Sequence, residues 1–154
     1  MARKQNSIVF EVAGKVEAKG RGRVGRVGKG PKAFTTVFTP AHTRKYEHLV
    51  RHAAGEAMGD RAPLECAVEV FVHVYIAYPK ASKRALTDMV AGLIRPCKKP
   101  DIDNYVKSAL DGINNIVVKD DNQVVSLYAH KVYNSRPHLR VEVRPLMRSL
   151  EELD

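Results

Sequence analysis

The feature that most restricts the fold is the run over residues 64–78, where Val68, Val70, Val72, Val74 and Ile76 alternate with Glu69, Phe71, His73 and Tyr75. A period of two with β-branched residues on one side specifies a strand that buries that side. A strand this long and apolar needs hydrogen-bonded neighbours on both edges, so it is predicted to lie inside a sheet. Pro79 ends it, because a proline cannot donate to the ladder.

The neighbours are legible with less force. Ile8, Phe10 and Val12 alternate with Val9, Glu11 and Ala13, a first strand. Residues 33–38 form a second, with the first as its expected hairpin partner. Residues 123–133 and 139–144 alternate around Asn134-Ser135-Arg136-Pro137, which predicts a terminal hairpin. Thr39 and Pro40 signal the start of a helix that runs to Met58 and stops at Gly59, with Tyr46, Leu49, Val50, Ala53, Ala54 and Ala57 on its buried side. Arg44, Lys45, Arg51 and His52 are left for solvent or phosphate, and His42, His48 and His52 read as surface histidines. A second helix is expected over 80–94, with basic residues at its start opposing the macrodipole. A third is expected over 104–116, and the partly acidic tail over 146–154 reads as a short helix. Together these predict one α+β domain over 1–154, a mixed sheet with helices packed on it. At 154 residues the chain is too short for two domains with separate cores.

Charge narrows the partner. Lys and Arg number 26 against 17 Asp and Glu, a formal net charge of +9, and a polyanion is the first inference. Much of the excess lies over 14–32, where Lys15, Lys19, Arg21, Arg23, Arg26, Lys29 and Lys32 stand among glycines with Glu17 as the sole acid. Such a segment has too little apolar surface to bury itself. It is expected to be a flexible basic loop that grips phosphates, with Lys19, Arg21, Arg23 and Arg26 as its DNA contacts. Cys66 and Cys97 have no metal-site spacing and read as reduced thiols. The basic N-terminus lacks the apolar core of a signal peptide, and the longest apolar run falls short of a membrane span. A cytoplasmic protein without membrane contact is expected.

The chemistry concentrates in Lys98-Lys99-Pro100-Asp101-Ile102-Asp103-Asn104-Tyr105-Val106-Lys107 and in Asp120-Asp121 downstream. Pro100 favours extended backbone at Lys99, and Asp103 is read as the N-cap of the third helix. On that reading Asp101 and Asp103 share a face while Ile102 turns into the core. Lys107 follows one turn along the same helix side, and Val106, Ala109, Leu110, Ile113 and Val117 form the packing stripe. Gathered carboxylates repel one another, and a divalent cation makes the arrangement tolerable. A single Asp before a helix is more often a cap than a ligand, and Lys119-Asp120-Asp121-Asn122 is also a turn composition. A basic surface around a carboxylate cluster combines phosphate attraction with a metal site, as a metal-dependent nuclease requires.

The run Lys99-Pro100-Asp101-Ile102-Asp103-Asn104, then Lys107, then Leu110-Asp111-Gly112, then Asp120-Asp121-Asn122-Gln123-Val124 resembles the signature of the RusA family of Holliday-junction resolvases. Lys19-Gly20-Arg21-Gly22-Arg23 is similar to the family's basic loop after the first strand, without the prolines often found there. The resemblance implies Asp101, Asp103 and Asp121 as catalytic carboxylates and metal ligands, with Asp120 as an adjacent candidate. It implies Lys107 as the essential lysine at the scissile phosphate. Lys98 and Lys99 join the DNA-binding set. Asp111 is either a partner of Lys107 or an ordinary helix-surface acid. The implied ion is Mg²⁺, with Mn²⁺ as a substitute, and the implied assembly is a homodimer that nicks a four-way DNA junction in symmetric pairs, in recombination or repair. Two other readings remain: a Mg²⁺ nuclease for branched DNA in general, and a nucleic-acid-binding protein without catalysis.

Overall fold

The alternating segments assemble as a mixed sheet in a computed structural model, which describes residues 7–146. The order of elements is β1 (Ile8–Ala13), β2 (Arg23–Val27), β3 (Phe34–Phe38), α1 (Ala41–Met58), β4 (Val68–Ala77), α2 (Lys83–Val90), α3 (Ile102–Ile113), β5 (Val124–Asn134) and β6 (His138–Pro145). The four-stranded sheet has the order β1-β6-β4-β5. β4 pairs parallel with β5 on one side and antiparallel with β6 on the other. The predicted interior strand is therefore interior. Val68, Val70, Val72 and Val74 are all fully buried, and they meet Leu139, Val141 and Val143 of β6 and Ile8, Phe10 and Val12 of β1 in one apolar layer. Helices α1 and α3 cover that layer through Tyr46, Val50 and Ala54 and through Tyr105, Val106, Ala109 and Ile113. The result is a single α+β domain, as the alternation and helix periods predict.

Pairing differs from expectation in two places. β5 and β6 do not form a hairpin, because β4 lies between them and takes hydrogen bonds from both. Residues 135–137 therefore cross the end of β4, where Pro137 O accepts from Gly14 N at 3.0 Å. β1 pairs with β6, and β3 pairs with β2. The stretch 14–32, expected to lack regular structure, thus contains a strand and a 3-10 turn over Gly30–Lys32. Its valines, Val24 and Val27, supply the ladder-forming residues that the charge count concealed. Its first half lies along the helices. Lys19 N donates to Asn104 O at 3.0 Å, Gly20 N to Thr43 Oγ1 at 3.1 Å, and Ser108 Oγ to Glu17 O at 3.0 Å.

Helix boundaries shift for local reasons. Pro40, not Thr39, holds the N-cap position of α1, with no side-chain capping bond. Leu49 is 54% exposed rather than buried, and its place on the inner side is taken by Thr43 and Met58. The helix expected over 80–94 contracts to α2, whose start is capped by Ser82 Oγ accepting from Ala85 N at 3.2 Å. Gly92 at φ +75° follows its end, and Val90 and Leu93 remain exposed. His42, His48 and His52 are exposed as expected. Cys66 and Cys97 are free. The tail expected to be helical lies outside the described residues beyond Leu146. Among the described residues no helix is long and apolar enough to cross a membrane.

The second face of the sheet is less covered than the first, α2 reaching it near Val132 of β5, and its side chains follow from register. Phe71, His73 and Tyr75 of β4 stand opposite Tyr128, His130 and Val132 of β5 and opposite Glu142, Arg140 and His138 of β6. His73 Nδ1 and His130 Nε2 lie 3.0 Å apart, and Tyr75 stacks on His138 with centroids 4.2 Å apart. Arg144 sits 4.2 Å over the Phe71 ring while bonding Glu142 at 2.8 Å. Burial holds both imidazoles of the pair below the usual histidine range, His130 and Arg140 adding repulsion at His73 and Arg95 at His130.

Two outcomes are expected. Gly112 lets α3 approach α1 so closely that a Cβ there would lie 2.1 Å from Val50 Cγ1. Gly112→Ala should destabilise by about 1–3 kcal/mol through overpacking, partly offset by alanine's helix preference. A urea midpoint that rises instead would contradict this contact. Second, the histidine pair binds protons less readily when folded, so its stabilising contribution is complete above pH 6.5, the ordinary value, and is lost as pH falls through it. Glu142, held low first by Arg144, loses its contribution only below its ordinary 4.5. The Tm should fall between about pH 7.5 and about pH 5.5, and His73→Gln should shrink that fall; an equal fall in both proteins would assign it elsewhere.

Candidate active site

The N-terminus of α3 is where extended backbone turns into helix, and the two acids flank that turn. Asp101 holds the N-cap position with φ −70° and ψ 147°, yet its carboxylate makes no capping hydrogen bond. Asp103 is inside the first turn rather than at the cap. Ile102, expected in the core, is 38% exposed, because the helix begins one residue after Asp101 and the packing stripe starts at Tyr105. Asp101, Asp103 and Lys107 are all exposed. The backbone before them is held from the sheet: Lys131 Nζ donates to Lys98 O at 2.8 Å and to Pro100 O at 2.9 Å. Lys131 was not singled out by motif. Its signal was present, since it stands in register with Val74, on the side of β5 that faces inward.

The downstream acids divide their tasks. Asp120 caps the 3-10 turn Asp121–Gln123, its Oδ1 accepting from Asn122 N at 3.0 Å, while Gln123 Oε1 accepts from Asp120 N at 2.9 Å. Gln123 Nε2 then donates to Leu64 O at 2.7 Å and Cys66 O at 2.9 Å, fixing the turn to the edge of the domain. Asp121 points free of the cap and is exposed. Its hydrogen bond with Asp120 raises its pKa above the usual carboxylate range, helped by slight desolvation and by the charges of Asp120 and Asp111. The carboxylates that act on Asp121 are therefore its neighbour and one from the second half of α3.

Asp103, Lys107 and Asp111 recur every four residues along α3, a ridge of about 12 Å at 1.5 Å per residue. Asp111 does not pair with Lys107. Its carboxylate accepts from the Lys19 ammonium, which Glu47 of α1 approaches at 3.5 Å. The bond to Asp111 holds the Lys19 pKa above the usual lysine range. Lys19, expected on DNA, thus ties the segment after β1 to both helices. Arg51, expected to face solvent or phosphate, donates to the C-terminal carbonyls of α3 at Asp111 O and Asn114 O, 3.2 and 3.4 Å away. A cation at that end complements the helix dipole.

Among the described residues, no three His, Cys, Asp or Glu side chains are grouped closely enough to enclose a metal ion. Asp101 and Asp103 are neighbours along the chain, and the charges of Asp120 and Asp111 act on Asp121. The donor chemistry suits a hard divalent cation: carboxylate oxygens, exposed, with Asp101 unengaged by its cap position and Asp121 crowded by like charge. Mg²⁺ is ordinarily bound through one or two carboxylates with several waters retained, so a closed protein cage is not required.

Arg21, Arg23 and Arg26 are exposed on or beside the two-stranded ribbon of β2 and β3. The same ribbon exposes Val24, Phe34, Val37 and Phe38. Lys98 and Lys99 are exposed next to the α3 acids.

Residues 13–144 match the family described as Endodeoxyribonuclease RusA, a span that includes the ribbon, α3 and the Asp120-Asp121 turn. The Bacillus subtilis (strain 168) protein described as "Uncharacterized protein YqaN" is 34% identical over 140 residues, covering 89% of this chain and 95% of the relative.

The coupling at the turn is measurable. Asp120→Asn keeps an oxygen for the Asn122 amide but removes the charge, and should return Asp121 toward the ordinary carboxylate range. Asp111→Asn should lower it by less. Carboxyl carbon NMR titrations of the three proteins read this directly, and an unchanged Asp121 in Asp120→Asn would place the cause of its shift elsewhere.

Proposed function

The chain belongs to the RusA endodeoxyribonuclease family, whose members are metal-dependent nucleases of Holliday junctions, and from that premise we propose that it is a Mg²⁺-dependent endonuclease that resolves four-way DNA junctions by paired nicks. The observation that carries the reading is the carboxylate of Asp101: it occupies a capping position without capping, two residues before the exposed Asp103. A structural role for that acid would have engaged it with the helix amides.

Asp101, Asp103 and Asp121 are the residues that would hold the ion, with Asp120 in support through its bond to Asp121. A bound Mg²⁺ supplies Lewis acidity to the phosphate and a more acidic water. Lys107, one turn beyond Asp103, presents its ammonium to the scissile phosphate and stabilises the negative charge that grows on its oxygens as the bond to the leaving group breaks. Arg21, Arg23, Arg26, Lys98 and Lys99 hold the flanking backbone. Lys19 serves this surface indirectly by fixing the segment from which the ribbon rises.

The less covered sheet face supports a homodimer. Phe71, Tyr75 and Tyr128 lie together on it among charged groups of both signs, a composition that suits a self-complementary two-fold contact. Two such sites related by a two-fold axis match the approximate symmetry of a four-way junction.

The test is cleavage of a synthetic four-way junction and a matched linear duplex in Mg²⁺ and in EDTA, by wild type, Asp103→Asn and Lys107→Ala. Paired Mg²⁺-dependent nicks in the junction are expected, reduced about 10²-fold or more in either variant, with junction binding in EDTA retained. Equal cutting of junction and duplex would replace resolution with a broader nuclease. Tight junction binding with no cleavage in Mg²⁺ or Mn²⁺ would leave a binding protein.

A further inference from the structure

Beside the α3 acids lies a cavity of about 530 Å³ that the proposed chemistry does not use. Its walls include Tyr133 and four prolines, with Tyr105, 4% exposed, at its floor, and its rim carries Lys15, Lys98 and Lys99. No acidic side chain lines it among the described residues. Flat apolar walls and the ammonium groups of Lys98 and Lys99, with Lys15 already 3.5 Å from Glu17, define the complement: a flat apolar ring attached to an anion.

A nucleotide has that composition, and the cavity has the volume of a small-ligand site. Bases stack on tyrosine faces whatever their sequence, and lysines bind the phosphates on either side. Location supplies the rest. Lys98, Lys99 and Pro100 form one wall and lead without a break into Asp101, so the occupant belongs to the strand at the cleavage site. In continuous duplex a base reaches such a cavity only by leaving its stack at a cost of a few kcal/mol, a cost lowest where pairing is already broken.

Resting on the nuclease reading above, we propose that the cavity between Tyr133, Tyr105 and the prolines receives one unstacked nucleotide of the strand to be cut, held at its phosphates by Lys98 and Lys99. Selection for branched DNA then has a local cause: nucleotides at a branch point unstack readily, whereas those of a linear duplex do not.

The experiment uses the full chain in EDTA, so that no strand is cut. A fluorescent single-stranded tetranucleotide is compared with the same oligonucleotide carrying an abasic residue at one internal position, which keeps every phosphate and removes one base. The series scans the abasic position along the strand. At one position binding should weaken roughly tenfold, and the NMR ring signals of Tyr105 and Tyr133 should no longer shift. Equal affinity and equal ring shifts at every position would overturn the proposal, since phosphate attraction alone would then explain binding. Because the change is made in the DNA, variant folding does not enter. Tyr133→Ala should weaken the intact oligonucleotide to the abasic level, and Tyr133→Phe should restore it. Junction cleavage by wild type is followed separately in Mg²⁺. Cleavage with no base dependence sinks this proposal alone, and base-dependent binding without cleavage sinks the nuclease reading while the base site stands.

Discussion

The close packing of α3 against the sheet and α1 is the contact on which the rest depends. Ala109 and Ile113 are fully buried, and Gly112 admits Val50 where any Cβ would collide. With one side held this way, the other side of the helix has a fixed direction, and Asp103, Lys107 and Asp111 must share it. The same packing places the start of α3 beside the Lys98–Pro100 backbone and its later turns beside Asp121. Core packing and the layout of charge are thus two sides of one helix.

Charge is organised in pairs that play different parts. Lys19 with Asp111 and Glu47, Arg51 with the helix C-terminus, and Lys131 with the carbonyls before α3 are cations turned inward to hold backbone and helices. Arg21, Arg23, Arg26, Lys98 and Lys99 are turned outward. A net charge of +9 does not distinguish these groups, because both count equally toward it. Only the outward group adds to the field that a polyanion meets.

The two faces of the sheet show the same division. Its inner face is aliphatic and covered, while its outer face carries histidines, tyrosines and phenylalanine among Arg140, Glu142 and Arg144. Aromatic stacking and the Arg144–Phe71 contact organise that outer layer. A face built this way tolerates water, which the inner face cannot.

By itself the sequence determined the interior strand, the α+β class and the helix that carries the acids, and it singled out Asp101, Asp103, Lys107, Asp120 and Asp121 as candidates. These are local properties: a period of two, a period near 3.6, and acids within a short span. Tertiary structure alone decided that β4 separates β5 from β6, that β2 pairs with β3, that Asp120 caps while Asp101 does not, and that Lys19 belongs to Asp111. The physical reason is common to all four. Each depends on which of several compatible partners reaches a given hydrogen-bonding or charged group first in space, and periodicity along a chain contains no record of that distance.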